Sequence, residues 1–278
     1  MTVIDGKKIA AEIIKNCENK IINLKNNGVC PYIEIILIGD DEDSERYVNL
    51  KLRKIKDVGA DGNIRKINEG KSNDEILKII NELNVNEKVH GILVQLPLPK
   101  KFNQEKILSE IILEKDVDAL NPSTIERIEL QTNSYYPAGV NAVLEIFKQY
   151  KVTIDGKKII IVGVTDLFGR PLSSVLKQMG GIINEIEMGK HLTFEELNTA
   201  DIIITDFGRP KWIKRKMVKN QVIIIDAANN YVNGKVIGDA DMDELLDKVD
   251  IITPVPGGLG PILIASLIKN LVKAAERV

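Results

Sequence analysis

Tyr47 and Lys51, in the run Ser44-Glu-Arg-Tyr47-Val-Asn-Leu-Lys51, pair a flat aromatic ring with a basic amine. On a helix a spacing of four stacks both side chains on one face. A ring can hold a planar heterocycle by stacking. An amine whose pKa is lowered by desolvation can move protons or activate water near neutral pH. A surface tyrosine beside a solvated lysine is the plainer reading of the pair alone. A second unusual segment, Gly91-Ile-Leu-Val-Gln95-Leu-Pro97-Leu-Pro99, follows at a suitable distance and favours the chemical one.

The elements that must position these residues are legible from periodicity. Ile9, Ile13, Cys17, Ile21 and Leu24 recur at spacings of three and four, which predicts an amphipathic helix ended by Gly28. Tyr32 to Ile38 is a short β-branched run expected to form a buried strand. Asp43 or Ser44 is expected to cap the helix that carries Tyr47 and Lys51. Ser72-Asn-Asp-Glu75 is a capping box before a helix through Leu83, and Val89 to Val94 is the next strand, stopped by two prolines. Strand–helix alternation of this kind predicts a parallel sheet with helices on its faces.

The rhythm restarts after Pro137-Ala-Gly139. A helix from Asn141 to Tyr150 leads into the strand Ile159-Ile-Ile-Val162, and further strands are expected at 182–186, 202–205, 222–225 and 250–252. After Val162, Gly163 and Gly169 bracket a loop, and Pro171 suits the first turn of the following helix. Strand, glycine turn and helix present backbone N–H groups and a positive dipole end to a phosphate. The spacing is longer than GxGxxG, and a glycine-rich turn in any α/β protein is the plainer alternative. Asp206-Phe-Gly208-Arg-Pro210, Ala227-Ala-Asn229-Asn230 and Pro254-Val-Pro256-Gly257-Gly258-Leu-Gly260-Pro261 follow later strands, where doubly wound sheets bind ligands.

Composition sets bounds. A chain of 278 residues, 44% hydrophobic, forms one large or two medium domains with a real core. Net charge is −2 with acidic and basic residues interspersed, which points away from nucleic acid and anionic membranes. No apolar run approaches the roughly 20 residues of a membrane helix. The first residues lack a signal-peptide pattern, and two cysteines with two lone histidines offer no metal spacing. A reduced, cytoplasmic setting is therefore expected, with Cys17 in the core and no metal.

Five segments together resemble the bifunctional methylenetetrahydrofolate dehydrogenase/methenyltetrahydrofolate cyclohydrolase family. They are Gly39 to Lys51, Gly91 to Pro99, Lys115-Asp116-Val-Asp118, Gly238-Asp239-Ala-Asp241 and Thr253 to Pro261, and they span nearly the whole chain in the family's order. The resemblance implies an α/β fold of two lobes facing a cleft. One is an N-terminal folate lobe, residues 1–122 with a final helix at 261–278 returning to it. The other is a Rossmann-like dinucleotide lobe, residues 123–260.

It also implies oxidation of 5,10-methylenetetrahydrofolate with NADP, hydrolysis of the methenyl product to 10-formyltetrahydrofolate, and a homodimer. Lys51 would be the base, Tyr47 would stack on the folate, Gln95 would orient Lys51, and Asp118 would grip the pterin edge. Leu96, Pro97, Pro256, Gly257 and Gly258 would complete the substrate contacts. Gly163, Val164, Thr165, Gly169, Pro171, Glu187 and Asn229 would contact the cofactor.

The departures cluster at the cofactor. Val164-Thr165 replace the usual Arg-Ser, and Glu187, Met188 and Lys190 fall where His-Ser and Thr are usual. Glu187 could accept from the ribose 2′-OH of NAD and repel a 2′-phosphate, whereas Lys190, His191 or Arg170 could replace the missing positive charge. Asn229 and Leu263 stand for a hydrophobic residue and a threonine. NADP is the expected cofactor, with NAD in second place. A cyclohydrolase-dominant variant, a Rossmann dehydrogenase of another small substrate, and a folate or dinucleotide binder without turnover also fit the residues.

Overall fold

The computed structural model describes residues 1–132, 135–189 and 193–277. In chain order the elements are β1 (Thr2–Val3), α1 (Gly6–Asn26), β2 (Tyr32–Ile38), α2 (Glu42–Asp57), β3 (Asp61–Ile67), α3 (Asn73–Asn84), β4 (Gly91–Val94), α4 (Gln104–Ser109), α5 (Thr124–Glu129) and α6 (Ala138–Gln149). Then follow β5 (Lys158–Val164), α7 (Gly169–Gln178), β6 (Ile182–Glu187), α8 (Phe194–Thr199), β7 (Ile202–Thr205), a 3-10 turn (Arg215–Met217), β8 (Val222–Asp226), β9 (Asn230–Val232), β10 (Lys235–Ile237), α9 (Met242–Leu245), β11 (Val249–Ile252) and α10 (Leu259–Ala275). The chain divides into two compact units. One comprises Met1–Ala10, Ile128–Gln131 and Gly139–Leu263; the other comprises Ala11–Arg127, Thr132–Ala138 and Ile264–Val278.

The unit around α2 is built on a parallel three-stranded sheet in the order β3-β2-β4. β2 lies in the middle, and its apolar run, interrupted by the buried Glu34, suits a strand covered on both faces. The flanking β3 is not among the strands expected from periodicity. Its residues Asp61-Gly-Asn-Ile-Arg-Lys-Ile are mostly polar because it is a half-exposed edge. α3 begins on the expected capping box, with Ser72 and Glu75 each closing on the other's backbone N–H. The cap of α2 is Asp41, not Asp43 or Ser44. Its carboxylate accepts from the Ser44 N–H at 2.7 Å, so Ser44 itself lies inside the first turn. α10 supplies its C-terminal part to this unit. There Asn270 Nδ2 donates to the carbonyl oxygens of Val117 (2.8 Å) and Tyr136 (3.1 Å).

The other unit holds an all-parallel six-stranded sheet in the order β1-β11-β8-β7-β5-β6. The chain order reverses at β5, with β6 on one side and β7 on the other. Such a reversal opens a crevice at the carboxyl ends of the strands. β5 continues through Gly163 and Val164, two residues beyond the expected strand, with a register shift against β6 there. The bracketed loop is thus only 165–168.

Residues 1–10, expected with the N-terminal lobe, pack with this sheet. β1 pairs in parallel with β11, and the Ile4 N–H donates to the Ile252 carbonyl at 2.9 Å. The first turn of α1 then presses on the segment after β11: a Cβ at Gly6 would stand 1.7 Å from the Gly258 carbonyl oxygen. Gly6→Ala should therefore displace the 257–258 segment and lower stability by about 1–3 kcal/mol, the range for overpacking. Urea unfolding would measure this; an unchanged midpoint would mean that the segment yields without cost.

Candidate active site

α2 sets the site. Ser44, Val48, Lys51 and Ile55 form its buried face at helical spacing, and Lys51 is only 7% exposed. Tyr47, one turn earlier, is 36% exposed and carries its ring beside the amine, with Lys51 Nζ 4.5 Å from the ring centroid. β4 delivers the third group. Gln95 follows its last residue and is fastened to β2, its N–H donating to the Ile36 carbonyl at 2.9 Å.

The Gln95 side chain is fixed at both ends. Nε2 donates to the Leu96 carbonyl at 2.6 Å, and Oε1 accepts from Lys51 Nζ at 3.1 Å. Burial pushes the Lys51 pKa below its ordinary value, and the negative charge of Asp118 partly opposes that shift. The arrangement therefore supplies a neutral amine more readily than a solvated lysine does, held beside a part-exposed ring.

Asp118 is half-buried on the turn after an isolated bridge between Ile92 and Asp116. That turn rests on Asp116, a residue to which the sequence motifs assign no role. Asp116 is buried, and its carboxylate accepts from the Asn121 N–H at 2.8 Å. Burial pushes its pKa up to about 7. The N–H groups of Asn121, Leu120 and Ala119 pull the other way, and the charge of Asp118 adds to the rise. Tyr47, Lys51, Gln95 and Asp118 thus come together in one unit, with Leu96 half-buried and Pro97 exposed directly after Gln95.

The six-stranded sheet presents the second set of residues. At Gly163 the backbone has φ +81°, and a Cβ would meet the Asp206 carbonyl oxygen at 2.1 Å. At Gly169, in the first turn of α7, a Cβ would meet Val164 Cα at 2.7 Å. Val164 is buried, Thr165 is exposed and receives the Arg170 N–H on its carbonyl, and Pro171 is buried within the first turn. Glu187 ends β6 opposite Val164. Arg170 lies between two carboxylates, with Nε 2.7 Å from Asp166 and a terminal nitrogen 3.2 Å from Glu187. Lys190 and His191 fall outside the described residues. Asn229 is exposed after β8; Pro256 is exposed and Gly258 buried between β11 and α10.

Two further aspartates brace these strand ends. Asp239 is fully buried and accepts from Thr205 Oγ1 and the Phe207 N–H, both at 2.7 Å, from the Arg209 N–H at 2.8 Å and from Asn230 Nδ2 at 3.1 Å. Asp226 accepts from the N–H groups of Ala240 (2.7 Å) and Ala228 (3.1 Å); burial pushes its pKa up to about 7. The Gly238-Asp-Ala-Asp241 segment marked Asp239 in the sequence without disclosing this bracing.

A doubly wound parallel sheet with a glycine turn at its reversal point, in a chain that also buries an amine against a ring and an amide, defines a two-domain α/β enzyme of the dinucleotide-binding kind. The chain belongs to the tetrahydrofolate dehydrogenase/cyclohydrolase family: residues 4–118 match its catalytic domain and residues 137–278 its NAD(P)-binding domain. It is 35% identical over 277 residues to the bifunctional protein FolD of Campylobacter hominis, covering 99% of this chain and 98% of that one. The crystal structure of the bifunctional FolD methylenetetrahydrofolate dehydrogenase/cyclohydrolase from Campylobacter jejuni superposes with a TM-score of 0.97 at 35% identity, over 100% of this chain and 99% of that one. The Trypanosoma brucei FolD, solved with NADP and an inhibitor, gives 0.93 at 27% identity, over 99% and 97%.

The Lys51 pKa shift makes a stability prediction. The unfolded chain, with an ordinary lysine at 10.5, binds the proton more tightly than the folded one. Stability therefore rises as pH climbs from the folded pKa toward 10.5, and the charged amine costs stability below that window. Lys51→Met should raise stability at pH 7 by on the order of 1 kcal/mol and flatten this rise. Urea unfolding at pH 7 and pH 9.5 reads both effects; a less stable Met variant would show that the amine is well solvated.

Proposed function

We propose that this chain oxidises 5,10-methylenetetrahydrofolate to the 5,10-methenyl form with NADP and hydrolyses that product to 10-formyltetrahydrofolate. The observation that carries the reading is the buried Lys51 amine, held by Gln95 beside the Tyr47 ring, in a chain of this family. Folate is assigned to the unit of Lys51 and the dinucleotide to the six-stranded sheet.

The residues fit a dinucleotide. Gly163 and Gly169 leave no room for side chains against the β5–α7 turn, and α7 offers its N-terminus there. The dinucleotide, when bound, supplies the hydride acceptor. Tyr47 stacks on the folate and places the methylene carbon near Lys51 Nζ. Asp118 accepts N–H donors of the pterin edge and steadies the ring against sliding. The methenyl product is cationic and electrophilic, so water needs only modest activation. As the water oxygen bonds to the methenyl carbon, the neutral Lys51 amine takes the proton that water loses. The bond from that carbon to N5 then breaks, with N5 gaining a proton, to leave the formyl group on N10. Gln95 Oε1 aims the amine throughout, because its own Nε2 is tied to the backbone.

No described helix is long and apolar enough to cross a membrane. A homodimer and a cytoplasmic setting belong to the same reading, and light scattering of the purified protein tests the former.

Lys51→Met should bind folate yet lose roughly 10²–10⁴-fold in hydrolysis of methenyltetrahydrofolate, the scale of general acid–base help. Decay of methenyl absorbance measures it; wild-type hydrolysis would remove Lys51 from the chemistry. For the cofactor, Glu187→Ala should weaken NAD more than NADP, because it removes an acceptor near the ribose and frees Arg170 for a phosphate. Titration of both dinucleotides tests this, and equal effects would dismiss the assignment.

A further inference from the structure

Several carboxylates lie at or beside the carboxyl ends of the strands, and they are not equally occupied. Asp239 takes four donors and Asp226 two, so both are consumed in bracing loops. Glu187 is paired with Arg170. Asp206, directly after β7, is half-buried, and among the described residues its carboxyl accepts no hydrogen bond. Its backbone is nonetheless held on every side. The Asp206 N–H donates to the Val162 carbonyl at 2.9 Å, its carbonyl lies against Gly163, and its neighbours Thr205 and Phe207 are both clamped to Asp239. A rigidly placed carboxyl without a donor, at the reversal point of a nucleotide sheet, is a poor structural device and a good acceptor for a ligand.

We propose that the Asp206 carboxylate accepts a hydrogen bond from a ribose hydroxyl of the bound dinucleotide, making it a cofactor-contacting residue of this chain. The inference rests on the dinucleotide reading above. The pyrophosphate is excluded as its partner, because that group belongs at the β5–α7 turn with the helix dipole and would be repelled by a carboxylate. The ribose diol is a neutral donor that a carboxylate can grip through two adjacent hydroxyls, whereas the adenine amino and nicotinamide carboxamide groups each offer it a single nitrogen. Asp239 and Asp226 do not compete, since their acceptors already face protein N–H groups.

The proposal carries a pH signature. Burial, and then the charge of Asp239, pushes the Asp206 pKa up to about 6. The other charged groups at these strand ends are Asp166 and Arg170 after β5, Glu187 on β6, Arg209 after β7 and Asp226 on β8. A carboxylate that accepts from a hydroxyl must be ionised, so binding weakens as pH falls through about 6. Asp226 also titrates near neutrality, but it is retained in a variant at position 206, so the difference between the two proteins isolates Asp206.

Calorimetric titration of NADP and NAD into the full chain at pH 7.5 and pH 5.0 tests this. At pH 7.5, Asp206→Asn should weaken binding about tenfold, the scale of a hydrogen bond to a charged group. The wild type should lose a similar factor on acidification, and the Asn variant should lose much less. Equal affinity of wild type and Asn variant at pH 7.5 would overturn the proposal and leave the dinucleotide reading standing. Binding that tightens on acidification in the wild type alone would also overturn it, by placing a phosphate against the carboxyl. A wild type that binds neither dinucleotide would bring down the reading itself. Should the Asn variant not fold, Asp206→Ser gives the same comparison.

Discussion

The orientation of one amide underlies the candidate chemistry. Gln95 has two chemically different ends, and the chain decides which faces the amine. Because Nε2 is spent on the Leu96 carbonyl, Oε1 is left for Lys51. The reverse arrangement would point two N–H donors at an amine and leave a buried acceptor idle, which is costly away from water. The amide therefore positions Lys51 without contributing a charge, and the absence of a full ion pair at that contact is chemically useful. A carboxylate in place of Gln95 would favour the protonated amine and remove the base. Asp118 supplies negative charge through the field alone, enough to oppose the burial effect in part.

The aspartates divide by the same logic. Asp116, Asp226 and Asp239 are buried and point their oxygens at backbone N–H groups, fixing the turns that follow strands or bridges. Each converts an irregular segment into a rigid mount. Asp118 and Asp206 are half-buried and sit on those mounts. Asp118 lies two residues after Asp116, and Asp206 lies between two residues tied to Asp239. A binding carboxylate on a flexible loop would lose ordering entropy each time a ligand arrived. A neighbouring carboxylate that has already ordered the backbone lowers that cost.

The apolar periods made most of this legible. β2 and β7 fall on the expected residues, and the capping box at Ser72 marks the start of α3. Tyr47, Lys51, Gln95 and Asp118 also assemble as their spacing and the family resemblance suggest. What escaped was polar or very short. β3 hides behind Asp61, Asn63, Arg65 and Lys66 because an edge strand has a solvent face. β1 is two residues long and takes its place from pairing with β11, a partner some 250 positions away. The β9–β10 hairpin is the exception, since its signal stands in the sequence. Asn233-Gly234 between Tyr231-Val232 and Val236-Ile237 is a strong hairpin signal that lies outside the strand–helix alternation. The Asp41 cap lies two or three residues before the expected one because every residue from Asp40 to Ser44 is acidic or a hydroxyl, and only the donor at Ser44 selects among them.

The glycines at the strand ends answer to more than one demand. Their density reads as room for a ligand, since a glycine is conformationally expensive without a reason. The reasons prove to be of two kinds. At Gly163 and Gly238 the chain approaches itself, for added carbons would strike the Asp206 carbonyl at 2.1 Å and the Asp226 carboxylate at 2.2 Å. These two glycines let strand-end segments close on one another and so serve a ligand only indirectly. At Gly257 and Gly260 an added carbon would meet nothing within 4 Å. Packing does not require glycine there; at Gly257 a positive φ does, whereas Gly260 has neither demand. Among the described residues, Gly260 is thus a position where a tolerated alanine would show glycine to be incidental, while an alanine that spoiled binding alone would mark close approach by a ligand.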